Sequence, residues 1–256
     1  MNVVWASASM KHFGQVASSA LGWPLFIDCP IGDVDCVYVI GLYDPPVYAY
    51  TLSNIARAKR VIIHWCGSDV QALTRPDMLP EATHICETDW LADELFAKGI
   101  QAKVVTFPTN LHPEVTPLPK EERIAVYFGN NPNHYGALQV QQLMECLPGV
   151  EWHTYQYGHH DQEQLRELIA ASRMTLRLTV HDGSANTCRE FMEAGRLAIC
   201  TVPLPYAVRV PHDDFPAILS AIQDGMKRSA PDTEQAAFYK EFNSVERYVR
   251  EMEAAL

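Results

Sequence analysis

Residues 174–202, MTLRLTVHDGSANTCREFMEAGRLAICTV, restrict the fold of this chain more than any other stretch. The first seven are apolar or β-branched apart from Arg177, a strand pattern that stops at His181, Asp182 and Gly183, where the backbone can turn. Ser184 then offers an N-cap, and Cys188, Phe191, Met192 and Gly195 recur at the spacing of one helix face. Gly195 suits a left-handed helix end, and a second apolar run follows at 197–202. The pattern predicts strand, glycine-containing loop, helix, strand. In such a βαβ unit the loop and helix N-terminus lie at the C-terminal edge of a parallel sheet, where helix amides and the helix dipole favour an anion. A plain scaffold unit would need few polar groups there. This one gathers Arg177, His181, Asp182, Ser184, Asn186, Thr187 and Glu190, so a binding site is expected.

The rest of the chain has the same rhythm. Apolar runs at residues 3–6, 24–27, 35–40, 60–65, 82–86 and 101–107 alternate with helical patterns at 10–20, 47–58, 68–72 and 89–98, which predicts a doubly wound parallel domain. Residues 108–123 are proline-rich and lack an apolar period, the composition of a linker. Strands are expected again at 124–129 and 150–157, helices at 135–147 and 161–173 with Asp161 as a cap, and a further helix at 217–228 after a loop. Phe238, Phe242, Val245, Val249 and Met252 form an apolar stripe near the end, where Asn243 and Glu246 resemble a capping box between two helices. The fold class read from this is α/β, two Rossmann-like doubly wound parallel-sheet domains facing a cleft. Their bounds are residues 1–116 and 117–232, with a helical region at 233–256 packing back toward the first. Loops at strand C-terminal ends would wall the cleft with Ser7, Ser9, Tyr43, Ser68 and Asp69 from one half, and Gly129, Tyr157, Gly158 and residues 181–190 from the other.

Composition excludes several classes. A formal charge of −11 disfavours generic attraction to nucleic acid or anionic lipid, unless Lys11, Arg57, Lys59 and Arg60 form a local basic groove. Seven cysteines without a C-x-x-C pair suit buried free thiols in a reducing cytoplasm. No apolar run reaches the roughly eighteen residues needed to span a bilayer. The sequence has no G-x-G-x-x-G after its first strand, no Walker loop and no G-x-S-x-G elbow, which counts against dehydrogenases, P-loop enzymes and α/β-hydrolases. His159, His160 and Asp161 are adjacent at a helix start, a poor geometry for converging on one metal ion, and no metal is expected.

Two segments carry a resemblance. HWCGSDV at 64–70 and LRLTVHDGSANTCREFMEAGRLAI at 176–199 resemble GT-B glycosyltransferases, with patterns of the types H-W-x-G-x-D-V and D-G-x-x-x-T-x-x-E-x-x-x-x-G. YFGNNPNHYG and EWHTYQYG are similar to that family's donor domain. The resemblance implies metal-independent transfer of a sugar from a nucleotide diphosphate sugar, UDP-sugar foremost, to an acceptor hydroxyl, with no cofactor besides that co-substrate. Glu190 would accept hydrogen bonds from the ribose diol, for which a carboxylate is the natural bidentate partner. Gly183 and Ser184 would approach the phosphates, Asp182, Thr187, His181 and Gly129 would line the same donor site, and Tyr157 and Gly158 would flank the base. Many members carry a basic residue after the first donor-domain strand, where this chain has Asn130, Asn131 and His134, so Arg177 and the amides at the helix start are the expected substitutes.

For the acceptor hydroxyl, Asp69 is the first candidate base if transfer inverts the anomeric carbon, and His64 the second. Ser7, Ser9, Tyr43 and Ser68 fall on the acceptor side. Each has a plainer reading beside it: a helix N-cap for Asp69, strand-end packing for His64, a solvent-facing carboxylate for Glu190. Asp33 and Asp35 match the D-x-D pattern that holds a cation in other sugar transferases, but they precede a strand instead of ending one. The acceptor is read as a saccharide or lipid-linked glycan, or a hydroxymethylated base in phage DNA. The alternative function is a catalytically inert sugar-nucleotide-binding or assembly protein.

Overall fold

A computed structural model describes residues 1–42, 57–74, 76, 79, 81–156, 158 and 160–256. Tyr43, Tyr157 and His159, and the helix expected over 47–58 up to residue 56, lie outside the described residues. The chain divides into two compact units, Met1–Pro108 with Ser244–Leu256, and Thr109–Asn243.

The first unit holds strands β1 (Asn2–Ala6), β2 (Leu25–Ile27), β3 (Val34–Ile40), β4 (Ala58–Trp65), β5 (Thr83–Cys86) and β6 (Ala102–Val104) in one parallel sheet ordered β2-β1-β3-β4-β5-β6. Its helices among the described residues are α1 (Lys11–Leu21), α2 (Ser68–Ala72), α3 (Asp89–Ala97) and, from the end of the chain, Val245–Ala255. Both faces of the sheet are covered, which explains strands that are apolar at successive positions. On β1, Val3 and Trp5 pack with Val37, Ile63 and the α3 residues Leu91 and Leu95, whereas Val4 and Ala6 pack with Ile62 and with Tyr248 and Met252 of the last helix. Each such large side chain contributes about 1.5–3 kcal/mol of burial.

The second unit holds β7 (Arg123–Tyr127), β8 (Glu151–Tyr155), β9 (Met174–Arg177), β10 (Leu197–Cys200) and β11 (Val208–Arg209), parallel in the order β11-β10-β9-β7-β8. Its helices are α4 (Ala137–Cys146), α5 (Gln162–Ala171), α6 (Asn186–Glu193), α7 (Phe215–Met226) and α8 (Thr233–Phe242), which makes Val245–Ala255 α9. The expected cap at Asp161 is present and forms a full capping box, its side chain accepting from the Gln164 amide. Gly195 is left-handed (φ 71°), and a Cβ there would lie 3.0 Å from the Asp232 carbonyl, so α6 can end only on glycine before α8 crosses it.

Several expectations differ in detail. The edge strand β11 falls inside the stretch expected to be a loop; two residues long, it has no period to read. Residues 109–116 belong to the second unit, and the C-terminal region is divided: α8 lies on α6 through Gln235, and α9 lies in the first unit. Asn243 is the C-cap of α8 instead of an N-cap, and Ser244 caps α9 by accepting from the Arg247 amide. Ser184 does not cap α6. Ala185 occupies that position in a left-handed conformation (φ 45°), while the Ser184 hydroxyl turns to the Asn186 side chain. Arg57, Lys59 and Arg60 stand at the N-terminal edge of β4, away from the ligand edge of a parallel sheet, and Asp33 and Asp35 neutralise the first two.

Candidate functional site

At the C-terminal edge of the second sheet, Arg177 ends β9 and turns into a cage of aromatic rings. Its guanidinium carbon lies 4.9 Å from the Tyr127 ring centroid and 5.1 Å from that of Tyr135. Its nitrogens donate to Asp182 Oδ2 at 2.5 Å, Asp182 Oδ1 at 3.0 Å and Thr187 Oγ1 at 3.0 Å. Gly129 permits the cage: φ is 53°, and a Cβ there would meet the Tyr135 ring at 2.3 Å. The pairing holds the Arg177 pKa well above its ordinary value against the pull of burial. Asp182 also accepts from the Gly183 amide at 2.9 Å, so it ties the loop after β9 to the strand end. Arg177, Asp182 and Thr187 are thus joined in one cluster that shapes the loop; the guanidinium edge expected to face phosphate is bonded within the protein.

Glu190 sits one turn into α6 with different surroundings. Among the described residues no hydrogen bond reaches its carboxyl group, and burial pushes its pKa up to about 7, with Arg189 and Arg177 pulling the other way. Beside it the Tyr155 hydroxyl, at the end of β8, is buried without a partner among the described residues. A desolvated acid and an unused hydroxyl at one sheet edge are hydrogen-bonding capacity available to a ligand. Gly183, Ser184 and Ala185 are buried in the loop between them and the α6 amides. His181 lends its carbonyl to His134 Nε2 at 2.8 Å, and Gly158 is exposed with φ 77°. The sequence places the stretch from Gly129 to Tyr135 on the cleft wall, but gives no role to the rings of Tyr127, Tyr135 and Tyr155. Their signal was aromatic residues at the ends of β7 and β8 and after the Gly129 turn, where a core strand would place aliphatics.

The first unit is built otherwise. Asp69 is fully buried, and both its oxygens accept from backbone amides: Gly67 at 2.8 Å, Val70 at 3.0 Å, Cys66 at 3.1 and 3.2 Å, and Leu42 at 3.3 Å. Burial raises its pKa to about 6 although those amides oppose the shift. Such a carboxylate organises the loops after β3 and β4. Gly67, with φ 146°, takes the N-cap position that Asp69 was weighed for. His64 is buried with its ring stacked 4.2 Å from Phe107 and its Nδ1 2.5 Å from the Tyr38 hydroxyl, which is 3.0 Å from that of Tyr248. Desolvation pushes its pKa down to about 3, so it is neutral and packs α9 to the sheet. Both candidate bases are thus buried, Asp69 among backbone amides and His64 among aromatic rings. Ser7 and Ser9 share a hydrogen bond of 2.9 Å between hydroxyls after β1, and Ser68 is exposed at the start of α2. No group of three or more metal-ligating side chains occurs among the described residues, and none of their helices is long and apolar enough to cross a membrane.

No family model matches the sequence, and no curated protein matches it. Solved structures do match. The lipopolysaccharide outer core galactosyltransferase WaaB superposes with a TM-score of 0.68 at 10% identity, over 100% of this chain and 99% of that one. TarM of S. aureus gives 0.66 at 9% identity over 88% of this chain and 55% of that one. The pneumococcal O-GlcNAc transferase GtfA, solved in complex with UDP and GlcNAc, gives 0.60 at 14% identity over 85% and 56%. The chain spans about half the length of TarM and GtfA. At such identities the likeness establishes the fold, which is that of the GT-B glycosyltransferases.

Proposed function

We propose that the chain is a glycosyltransferase that takes a sugar from a nucleotide diphosphate sugar and passes it to an acceptor hydroxyl. The observation that carries this is Glu190, a desolvated carboxyl group with no hydrogen bond among the described residues, at the sheet edge where this fold class receives ligands. Its two oxygens match the ribose diol. Gly183, Ser184 and the first amides of α6 receive the pyrophosphate, the tyrosine-caged Arg177 with Asp182 and Thr187 holds that loop in shape, and His181, Gly129 and Gly158 line the rest. UDP is the favoured nucleotide, since GtfA of the same fold was solved with it. A glycan is favoured over DNA as acceptor, because the net charge is −11 and two of the cations that could have formed a basic groove are paired with acids.

A thermal-shift panel of UDP, GDP, CDP and dTDP with their sugars tests the reading. A ligand at about 100 times its Kd stabilises the folded protein by about 2.7 kcal/mol. The expected result is a shift with one nucleotide series, UDP foremost, that disappears in Glu190→Gln. Affinity should also fall as the pH drops through about 7, because the proton then taken up by Glu190 removes the charged acceptor. No shift with any nucleotide, or an unchanged shift in Glu190→Gln, would overturn it.

The burial of both expected bases favours a second reading, an inert protein that keeps nucleotide-sugar binding. Release of free nucleotide from the bound sugar donor separates the two: stimulation by any acceptor establishes transfer, and binding without stimulation across a glycan and lipid-linked panel supports the inert reading.

A further inference from the structure

The loop that receives the pyrophosphate in the reading above is braced from inside the unit by a buried arginine. Arg189, 0% exposed on α6, donates through one terminal nitrogen to Asn186 Oδ1 at 2.5 Å, and the Ser184 hydroxyl donates to the same oxygen at 3.0 Å. Through its other terminal nitrogen it donates to Asn243 Oδ1 at 3.2 Å. Asn243, also 0% exposed, donates to Glu193 Oε2 at 2.7 Å, and the other oxygen of Glu193 is 2.9 Å from His112 Nδ1. One chain of hydrogen bonds therefore runs from the loop at Ser184 to the last residue of the unit. Between its first two members lies Ala185, whose left-handed backbone costs about 1 kcal/mol for a residue with a Cβ and persists only where neighbours over-determine it.

A well-packed apolar side chain would fill the same interior at no loss of stability, since burying a guanidinium costs several kcal/mol before its bonds repay it. What an arginine adds is direction: its planar fork fixes the Asn186 oxygen, and that oxygen fixes the Ser184 hydroxyl. We propose that Arg189 is a positioning residue for the diphosphate of the donor, acting through Asn186 and Ser184 and anchored by Asn243. It touches no part of the donor itself. The inference rests on the donor-site reading above and extends it to a residue behind the loop.

The test compares ligands with and without phosphates. The nucleoside diphosphate that the wild type binds in the thermal-shift panel is titrated calorimetrically beside its own nucleoside, into wild type, Arg189→Lys and Asn243→Ala. Arg189→Lys keeps the charge and loses the fork. It should weaken the diphosphate about tenfold and leave the nucleoside within about twofold; Asn243→Ala should do the same with a smaller, about threefold, loss. Equal weakening of both ligands, as expected of a merely structural arginine, or no weakening of either, would overturn the inference while leaving the donor reading intact. A wild type that binds no diphosphate overturns both. If the buried variants do not fold, Asn186→Ala, at a partly exposed position, cuts the same chain and must show the same selective loss.

Discussion

The two sheet edges treat their desolvated acids in opposite ways. In the first unit, Asp69 is enclosed by amides, and its raised pKa of about 6 is the residue of burial after Cys66, Leu42, Gly67 and Val70 have each donated to it. In the second, Glu190 is raised to about 7 with no donor among the described residues. A similar shift thus accompanies a bonded acid and an unbonded one. Partners distinguish the two: an acid that has spent its lone pairs on the backbone is architecture, and one that keeps them is available to a ligand. Asp182, held by the Arg177 fork, stands with Asp69 on the architectural side.

That comparison ranks the acids by what their loss would do. Arg177→Met should have the largest effect, because it strips the cation from a largely buried Asp182 and empties the tyrosine cage; about 3 kcal/mol is expected from urea unfolding. A loss below about 1 kcal/mol would place the pair among ordinary surface bridges and break the ranking. Asp69→Asn comes next, at about 2 kcal/mol, since an amide group cannot accept from all the backbone donors it faces. Its signature is local. Hydrogen exchange should accelerate at the amides of Leu42, Cys66, Gly67 and Val70 and stay unchanged in the second unit; an unaltered set would mean that Asp69 does not organise these loops.

The same contrast explains how far the sequence could be read. Strands with both faces covered are apolar at successive positions, and β1, β3 and β4 could be placed to within a residue or two on that ground. The loop after β9 and Glu190 stood out as polar groups at a strand end. The surroundings of Asp69 did not, because its partners are backbone amides, which every residue except proline supplies. Arg189 was hidden for another reason. On α6, the positions around Cys188 and Phe191 form one apolar face, and a neighbouring arginine ordinarily turns to solvent. Here α8 covers that second face as well, and a local period cannot report a helix that arrives forty residues later. Likewise the Tyr135 side of the Arg177 cage is built across a long sequence separation: residues 129–136, GNNPNHYG, announce a turn but not the distant guanidinium that it encloses.

The smallest effect, with the opposite sign, should come from Glu190. Its folded pKa of about 7 lies above the ordinary 4.5, so the stability linked to it is complete below the unfolded value and is lost as the pH rises through the folded one. Glutamine imitates the protonated acid without titrating. Glu190→Gln should therefore match the wild type near about pH 4 and become more stable by about 1 kcal/mol near about pH 8, the roughly 3 kcal/mol that the full shift implies being cut by the partial solvent exposure of this side chain. Denaturant midpoints at the two pH values measure the gap. A wild type that is the more stable of the two at the higher pH would mean that Glu190 has a partner in the folded chain. Its likeness to Asp69 would then be complete, and the ribose would lose its acceptor. A gap that opens as the pH rises, in the same variant that loses nucleotide, shows instead that the acid is held in readiness at the expense of the unit's own stability.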